Sequence, residues 1–376
     1  MIAVFFVLLL SGCGGASHMG DLFSDTPQTQ PQPNQPAPVH ATKIALLLPL
    51  SAPGETQKIA AALQQAAELA VKDSGGDATT LIIKDTAGSA DTARIVAQAA
   101  LDEGAGIILG PVLSAEVQAV SPIARARNVN VIAFSSVSSV ASPGTFLMSF
   151  LPDEEVSNVV RYAASKGFRN VSLLYPASQY GMAIEQALSR SVLAEGSTVV
   201  ASQSYPRDAA AIQAPAAKIA GGAQGEGYAL MLPEGGQMLR SLGQALTAQG
   251  IDPRTTKILG TGLWDDGLTR STPIALGGWY AGVAPQLVQQ FEQKFMASYS
   301  VKPPRIASLA YDATSFAIKL VRAGDVSDIA ITDPTGTQGV NGLFRFRENG
   351  LIERRLSILQ MGPGGSDVVA PAPTQF

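Results

Sequence analysis

The chain has 376 residues, is 46% hydrophobic and 15% charged, and carries a formal net charge of −4. That length allows about two or three domains and a sizeable core, and the absence of a basic stripe argues against nucleic acid as a partner. One cysteine, Cys13, excludes an intramolecular disulfide, and the two histidines, His18 and His40, precede the folded part and are expected in solvent.

Residues 2–10 are an apolar run, too short to span a bilayer as a helix. The run lacks the Lys or Arg of an n-region, so the true start is expected upstream. It ends in Leu10-Ser11-Gly12-Cys13, which resembles the lipobox of bacterial lipoproteins. The resemblance implies that 1–12 is a signal peptide and that Cys13 is lipidated and anchors the chain to a membrane. Each buried acyl methylene is worth ~0.8 kcal/mol, so a multiply acylated cysteine anchors firmly. Gly14, not Asp, follows Cys13, which implies the outer membrane and a periplasmic location. The plain alternative, a free or buried cysteine, fits poorly with the Gly14-Gly15 flank.

Residues 13–41 form the lipidated cysteine and its linker. Pro27, Pro31, Pro33, Pro36 and Pro38 lie among polar residues, a composition that cannot bury enough surface to fold. At ~3 Å per residue the spacer could reach roughly 80 Å. A Pro-rich ligand for a partner is the other reading.

Folded sequence starts near Lys43. Residues 44–50 read as a buried strand, broken by Ser51-Ala52-Pro53-Gly54. Ile59, Leu63, Ala66, Ala67 and Ala70 then repeat at helical spacing up to Gly75-Gly76. The alternation continues: strand 80–85, helix 89–101, strand 106–109, helix 114–125, strand 129–134. Such alternation predicts βαβ crossovers and a parallel sheet.

Within this series, Ile107-Ile108-Leu109 runs into Gly110-Pro111 and then into Ser114, where a helix should begin. A helix mouth above a sheet edge offers free backbone N–H groups and a hydroxyl to a carboxylate or other anion. The plain alternative for Ser114 is an ordinary helix cap.

After 146–151 a second series follows: helix 153–166, strand 171–175, helix 179–194, strand 198–204, a helix around 211–219, strand 227–232, helix 235–249 and strand 257–260. The chain then returns through an apolar stretch at 278–283 and helices at 286–299 and 306–322. Residues 342–361 predict a hairpin, with Phe344 and Phe346 alternating with Arg345 and Arg347, Asn349-Gly350 as a type I′ turn, and Leu356 and Ile358 on the returning strand. Residues 362–376, rich in Gly and Pro, are expected to lack order.

Several separated pieces carry a resemblance: Leu48-Pro49-Leu50-Ser51, Gly110-Pro111-Val112-Leu113-Ser114, Val131-Ile132-Ala133-Phe134-Ser135-Ser136, Gln179-Tyr180-Gly181, Pro233-Glu234-Gly235-Gly236-Gln237-Met238-Leu239 and Gly262-Leu263-Trp264-Asp265. In this order they resemble type I periplasmic binding proteins of the leucine-binding family. The resemblance implies an α/β fold of two Rossmann-like lobes joined by three crossovers. Lobe one would comprise 42–151 plus 280–331, and lobe two 152–279 plus 332–361. A small-molecule ligand would lie between them, on Ser114 and Leu113, on Ser135, Ser136 or Ser138, and on Tyr180 and Thr261. The family's acidic residue for an amino group is missing from Gly260-Thr261-Gly262, so a zwitterionic amino acid fits less well than the fold implies. A branch of similar lipoproteins activates penicillin-binding proteins, and the opening Ile44-Ala45-Leu46-Leu47-Leu48-Pro49-Leu50-Ser51 resembles theirs.

Enzyme chemistry has little support. No His lies in the folded region for a Ser-His-Asp system, and no metal-spaced Cys/His cluster occurs. The Gly-rich stretch 221–227 precedes a strand instead of following one, which marks a loop and not a phosphate cradle. The expectation is a non-enzymatic protein with no cofactor and no metal. Its partner is an ABC permease, in solute uptake, or a penicillin-binding protein, in regulation of cell-wall synthesis.

Overall fold

A computed structural model of the chain describes residues 43–75, 81–206, 208, 211–222 and 226–376. The signal segment, Cys13, the linker and both histidines lie outside the described residues, as do 223–225 of the Gly-rich stretch.

Two sheets organise the described chain. The first holds β1 (Lys43–Leu48), β2 (Leu81–Asp85), β3 (Ala105–Leu109), β4 (Asn130–Ala133) and β5 (Thr145–Leu147), ordered β2-β1-β3-β4-β5. All its pairings are parallel. Successive side chains of a strand point to opposite faces, so β1 feeds two cores at once. Ile44, Leu46 and Leu48 pack with α1 (Glu55–Asp73) and α10 (Ala307–Ala323). Ala45 and Leu47 pack with α2 (Ala90–Asp102) and α3 (Ser114–Ala126). That double burial is why the strand reads as a continuous apolar run.

The second sheet is ordered β15-β14-β10-β9-β8-β6-β7. Its strands are β6 (Asn170–Pro176), β7 (Thr198–Tyr205), β8 (Tyr228–Met231), β9 (Lys257–Gly260), β10 (Trp279–Gly282), β14 (Ser357–Gly362) and β15 (Gly365–Ala370). α4 (Pro152–Ser165) and α5 (Gln179–Ala194) cover one face, and α6 (Gln213–Gly222) and α7 (Gly236–Ala248) cover the other.

The chain passes between the lobes three times: after β5, between β10 and α9 (Pro285–Tyr299), and between β13 (Ile352–Arg354) and β14. α9 belongs with the first lobe, since Phe291 and Phe295 join the core of α1 and α10. The two-lobed α/β architecture read from the sequence is therefore present.

Its boundaries differ from the expected ones. β10, expected at the start of the returning segment of lobe one, pairs with β9 and β14 in the second sheet. β11 (Thr337–Gly339), β12 (Gly342–Phe346) and β13 form a small antiparallel sheet that packs on the first lobe, not the second. Phe346 lies 5.4 Å from Phe146 between ring centroids, and Phe344 lies 5.7 Å from Phe316. The alternation of Phe344 and Phe346 announces a half-buried strand but not which core receives it.

The β12–β13 hairpin is shorter than expected. Gly350 occupies its turn at φ 83°, where an added Cβ would run into the Thr145 carbonyl. Ile358, assigned to the returning strand, pairs instead with Ala281 of β10. The tail expected to lack order includes β15, antiparallel to β14 and tied down where Tyr280 Oη donates to Ser366 Oγ at 2.8 Å. Among the described residues no helix is long and apolar enough to cross a membrane.

Candidate functional site

The first wall is built at the C-terminal ends of β3, β4 and β5. Gly110 takes φ 81°, and a Cβ there would strike the Leu47 carbonyl, so glycine ends the strand. α3 then begins, with Leu113 as its N-cap and Ser114 as its first helical residue. Ser114 is thus not the cap. The capping work falls to Glu116, which is fully buried. Its Oε2 accepts from Leu113 N at 3.3 Å, and its Oε1 accepts from Thr86 Oγ1 at 2.6 Å. Burial pushes the Glu116 carboxyl above its ordinary range. With Glu116 holding the turn, the Ser114 hydroxyl is left for the cleft.

Leu113, Ser114, Ser135 and Ser136 line one open cavity of about 470 Å³, together with Phe134, Ser149, Phe150, Arg305, Ile306 and Leu309 among others. Ser135 is buried, and its Oγ accepts from Val137 N at 3.3 Å. Ser138 does not line this cavity; it is exposed and opens a 3₁₀ turn, Ser138–Val140.

The second wall comes from α4, α5 and the end of β9. Ser178 caps α5 by accepting from Gly181 N at 3.2 Å. A Cβ at Gly181 would strike the Pro176 carbonyl, so Gln179-Tyr180-Gly181 can turn only with glycine there. This places Tyr180 Oη 3.0 Å from Thr261 Oγ1. Burial pushes the Tyr180 phenol well above its usual range, and the nearby Glu155 charge adds to the shift. The phenol therefore stays a neutral hydrogen-bonding group. Trp264, fully buried, donates Nε1–H to the Leu232 carbonyl at 3.1 Å and packs where a Cβ at Gly260 would sit, which fixes the Thr261-Gly262 turn.

Two residues beside these walls escaped the sequence reading. Glu155, in the first turn of α4, is 5% exposed, and its Oε2 accepts from Gly262 N at 3.0 Å. Arg305, just before α10, donates Nη2–H to Glu155 Oε1 at 3.0 Å and lays its guanidinium 3.8 Å from the Phe150 ring centroid. An acid does therefore serve the Thr261-Gly262 turn, but it comes from another element and already has a cation. Glu155 sits inside Asp153-Glu154-Glu155, which reads as an ordinary acidic helix start. Only the Pro303-Pro304 stop before Arg305 hinted that this cation is held in place.

Arg305 also lines a second cavity of about 220 Å³, with Gly262, Asp265, Arg270, Tyr280, Lys302 and Asn341. Arg305 is thus common to the linings of both cavities. Behind it, Asp312 is fully buried and accepts from Val340 N at 2.7 Å, from Asn341 N at 3.2 Å and from Asn341 Nδ2 at 2.8 Å. Burial raises the Asp312 carboxyl and brings the neighbouring Arg354 down to about 10. Among the described residues no group of three or more His, Cys, Asp or Glu could hold a metal ion.

A family model described as periplasmic binding protein matches residues 41–366. The fold is similar to that of a putative branched-chain amino acid ABC transporter protein from Rhodospirillum rubrum, at 21% identity and a TM-score of 0.77, over 88% of this chain and 100% of that one. It is also similar to a solute binding protein of an ABC transporter from R. palustris in complex with benzoate, at 19% identity and a TM-score of 0.62, over 89% and 97%. A third similar structure is a branched-chain amino acid transporter substrate binding protein from Streptococcus pneumoniae in complex with isoleucine, at 19% identity and a TM-score of 0.61, over 88% and 99%. A comparison with curated proteins finds no significant match.

Proposed function

Because the chain belongs to the periplasmic binding protein family, we propose that it is a non-enzymatic, periplasm-facing lipoprotein that binds a small carboxylate-bearing or amino-acid-like solute and delivers it to an ABC permease. Cys13 is its lipid anchor, in the outer membrane, and residues 14–41 are the tether. Ser114, Leu113, Ser135 and Ser136 hold the solute from one lobe, and Tyr180 and Thr261 meet it from the other, with Ser138 at the rim. Hinge closure follows from contacts that the solute makes better in the closed form. The observation that carries this reading is the open cavity of about 470 Å³ lined by four serines and a helix mouth. A thermal-shift screen of small carboxylic acids, amino acids and short peptides tests it. A compound that stabilises the wild type, and does so less for Ser114→Ala, supports the reading; no stabilisation at millimolar concentration contradicts it.

A second reading is regulation of a penicillin-binding protein. The opening stretch 44–51 and the lipobox-and-linker arrangement favour it. Recovery of a peptidoglycan synthase on the immobilised full chain, with no solute bound, supports this reading over uptake.

A further inference from the structure

We propose that Arg305 sets the ligand class: the serine-lined cavity takes a carboxylic acid with an apolar body and no free amino group. This rests on the solute-binding reading above and narrows it. The lining of the cavity contains one cation, Arg305, and no acidic side chain. Phe134, Phe150, Ile306 and Leu309 supply an apolar bed for the body of the acid. The Arg305 side chain lines the cavity and is 32% exposed, and the bond to Glu155 and the Phe150 ring hold it still. A guanidinium held this way presents a planar fork that a carboxylate matches with two parallel hydrogen bonds.

The same arrangement rejects an ammonium group. Two buried carboxylates lie beside the cavity lining, and both are engaged: Glu155 accepts from Arg305 and from Gly262 N, and Glu116 accepts from Thr86 Oγ1 and Leu113 N. A solute ammonium would have to displace the guanidinium or lie beside it, and a like charge at that distance is unfavourable. The backbone also favours leaving the pair in place, since the Gly262 Cα faces both of its side chains closely enough that a Cβ would overlap them.

Calorimetric titration of the purified chain with 4-methylpentanoate, benzoate and L-leucine tests this. The expected result is that an acid binds at least about tenfold more tightly than L-leucine, and that Arg305→Met lowers the acid's affinity by about tenfold or more, as loss of one charge-assisted contact does. Arg305→Lys, which keeps the charge without the fork, should fall between the two and serves if the Met variant does not fold. Preference of the wild type for L-leucine overturns this inference and leaves the solute-binding reading standing. An acid affinity unchanged by either variant also overturns it. Binding of none of the three compounds overturns the inference, and the screen described above then decides whether the broader reading falls with it.

Discussion

Arg305 and Glu155 stand 150 positions apart in the chain and meet at 3.0 Å, one from the approach to a first-lobe helix and the other from the first turn of a second-lobe helix. Gly262 lies against both, and a Cβ there would overlap the guanidinium and the carboxylate. Gly262→Ala is therefore expected to push the pair apart. Overpacking of this kind costs about 1–3 kcal/mol. Chemical denaturation should show that loss, and the affinity for any bound acid should drop in the same variant.

The first wall depends on a buried carboxylate that never touches solvent. Glu116 is fully buried and satisfies Thr86 Oγ1 and Leu113 N together. Glu116→Ala would leave both donors unpaired and open a void. Unfolding free energy should fall by about 2–4 kcal/mol. Thr86→Val removes one of the two donors and should cost less than half as much. The two denaturation curves decide whether Glu116 organises the turn as described.

Glu154, in the first turn of α4, couples stability to pH. Burial raises its carboxyl from 4.5 to about 7, against the pull of Arg347, whose guanidinium is 3.6 Å away, and with added repulsion from Glu353 and Asp153. Between pH 4.5 and about 7 the folded chain therefore holds a proton that the unfolded chain has released. Stability must fall as pH rises through that window. The full effect of such a shift is on the order of 3 kcal/mol. Glu154→Gln mimics the protonated form, so it should raise the unfolding midpoint at pH 8 and change it little at pH 4.5. Thermal melts of both proteins at the two pH values check the sign.

The sheets were legible in the sequence because their strands are buried on both faces and their helices keep an apolar period. β9 and α5 fall where the pattern puts them, at Lys257–Gly260 and Gln179–Ala194. The assignment of segments to lobes was less legible. Phe344 and Phe346 carry a strand signal, yet only their contacts with Phe146 and Phe316 place them on the first lobe. β15 was hidden because its first half is Gly365-Ser366-Asp367 and its valines, Val368 and Val369, stay exposed, so no apolar alternation marks it and pairing with β14 holds it. Ser114 was found for its position at the helix mouth, although Glu116 does the capping attributed to it. Glu155 and Arg305 could not be found locally, because each is an ordinary charged residue until the fold brings the two together.

The central claim is that one solute is gripped from both lobes. Affinity for the best-bound compound should be measured by calorimetry in Ser114→Ala, in Tyr180→Phe, and in the double variant. Each hydroxyl lost from a direct contact costs roughly 0.5–1.5 kcal/mol or more, so both single variants should bind more weakly, and the double variant more weakly still. Weakening by Ser114→Ala with no effect of Tyr180→Phe would mean that the second wall does not touch the solute, which contradicts the clamshell account.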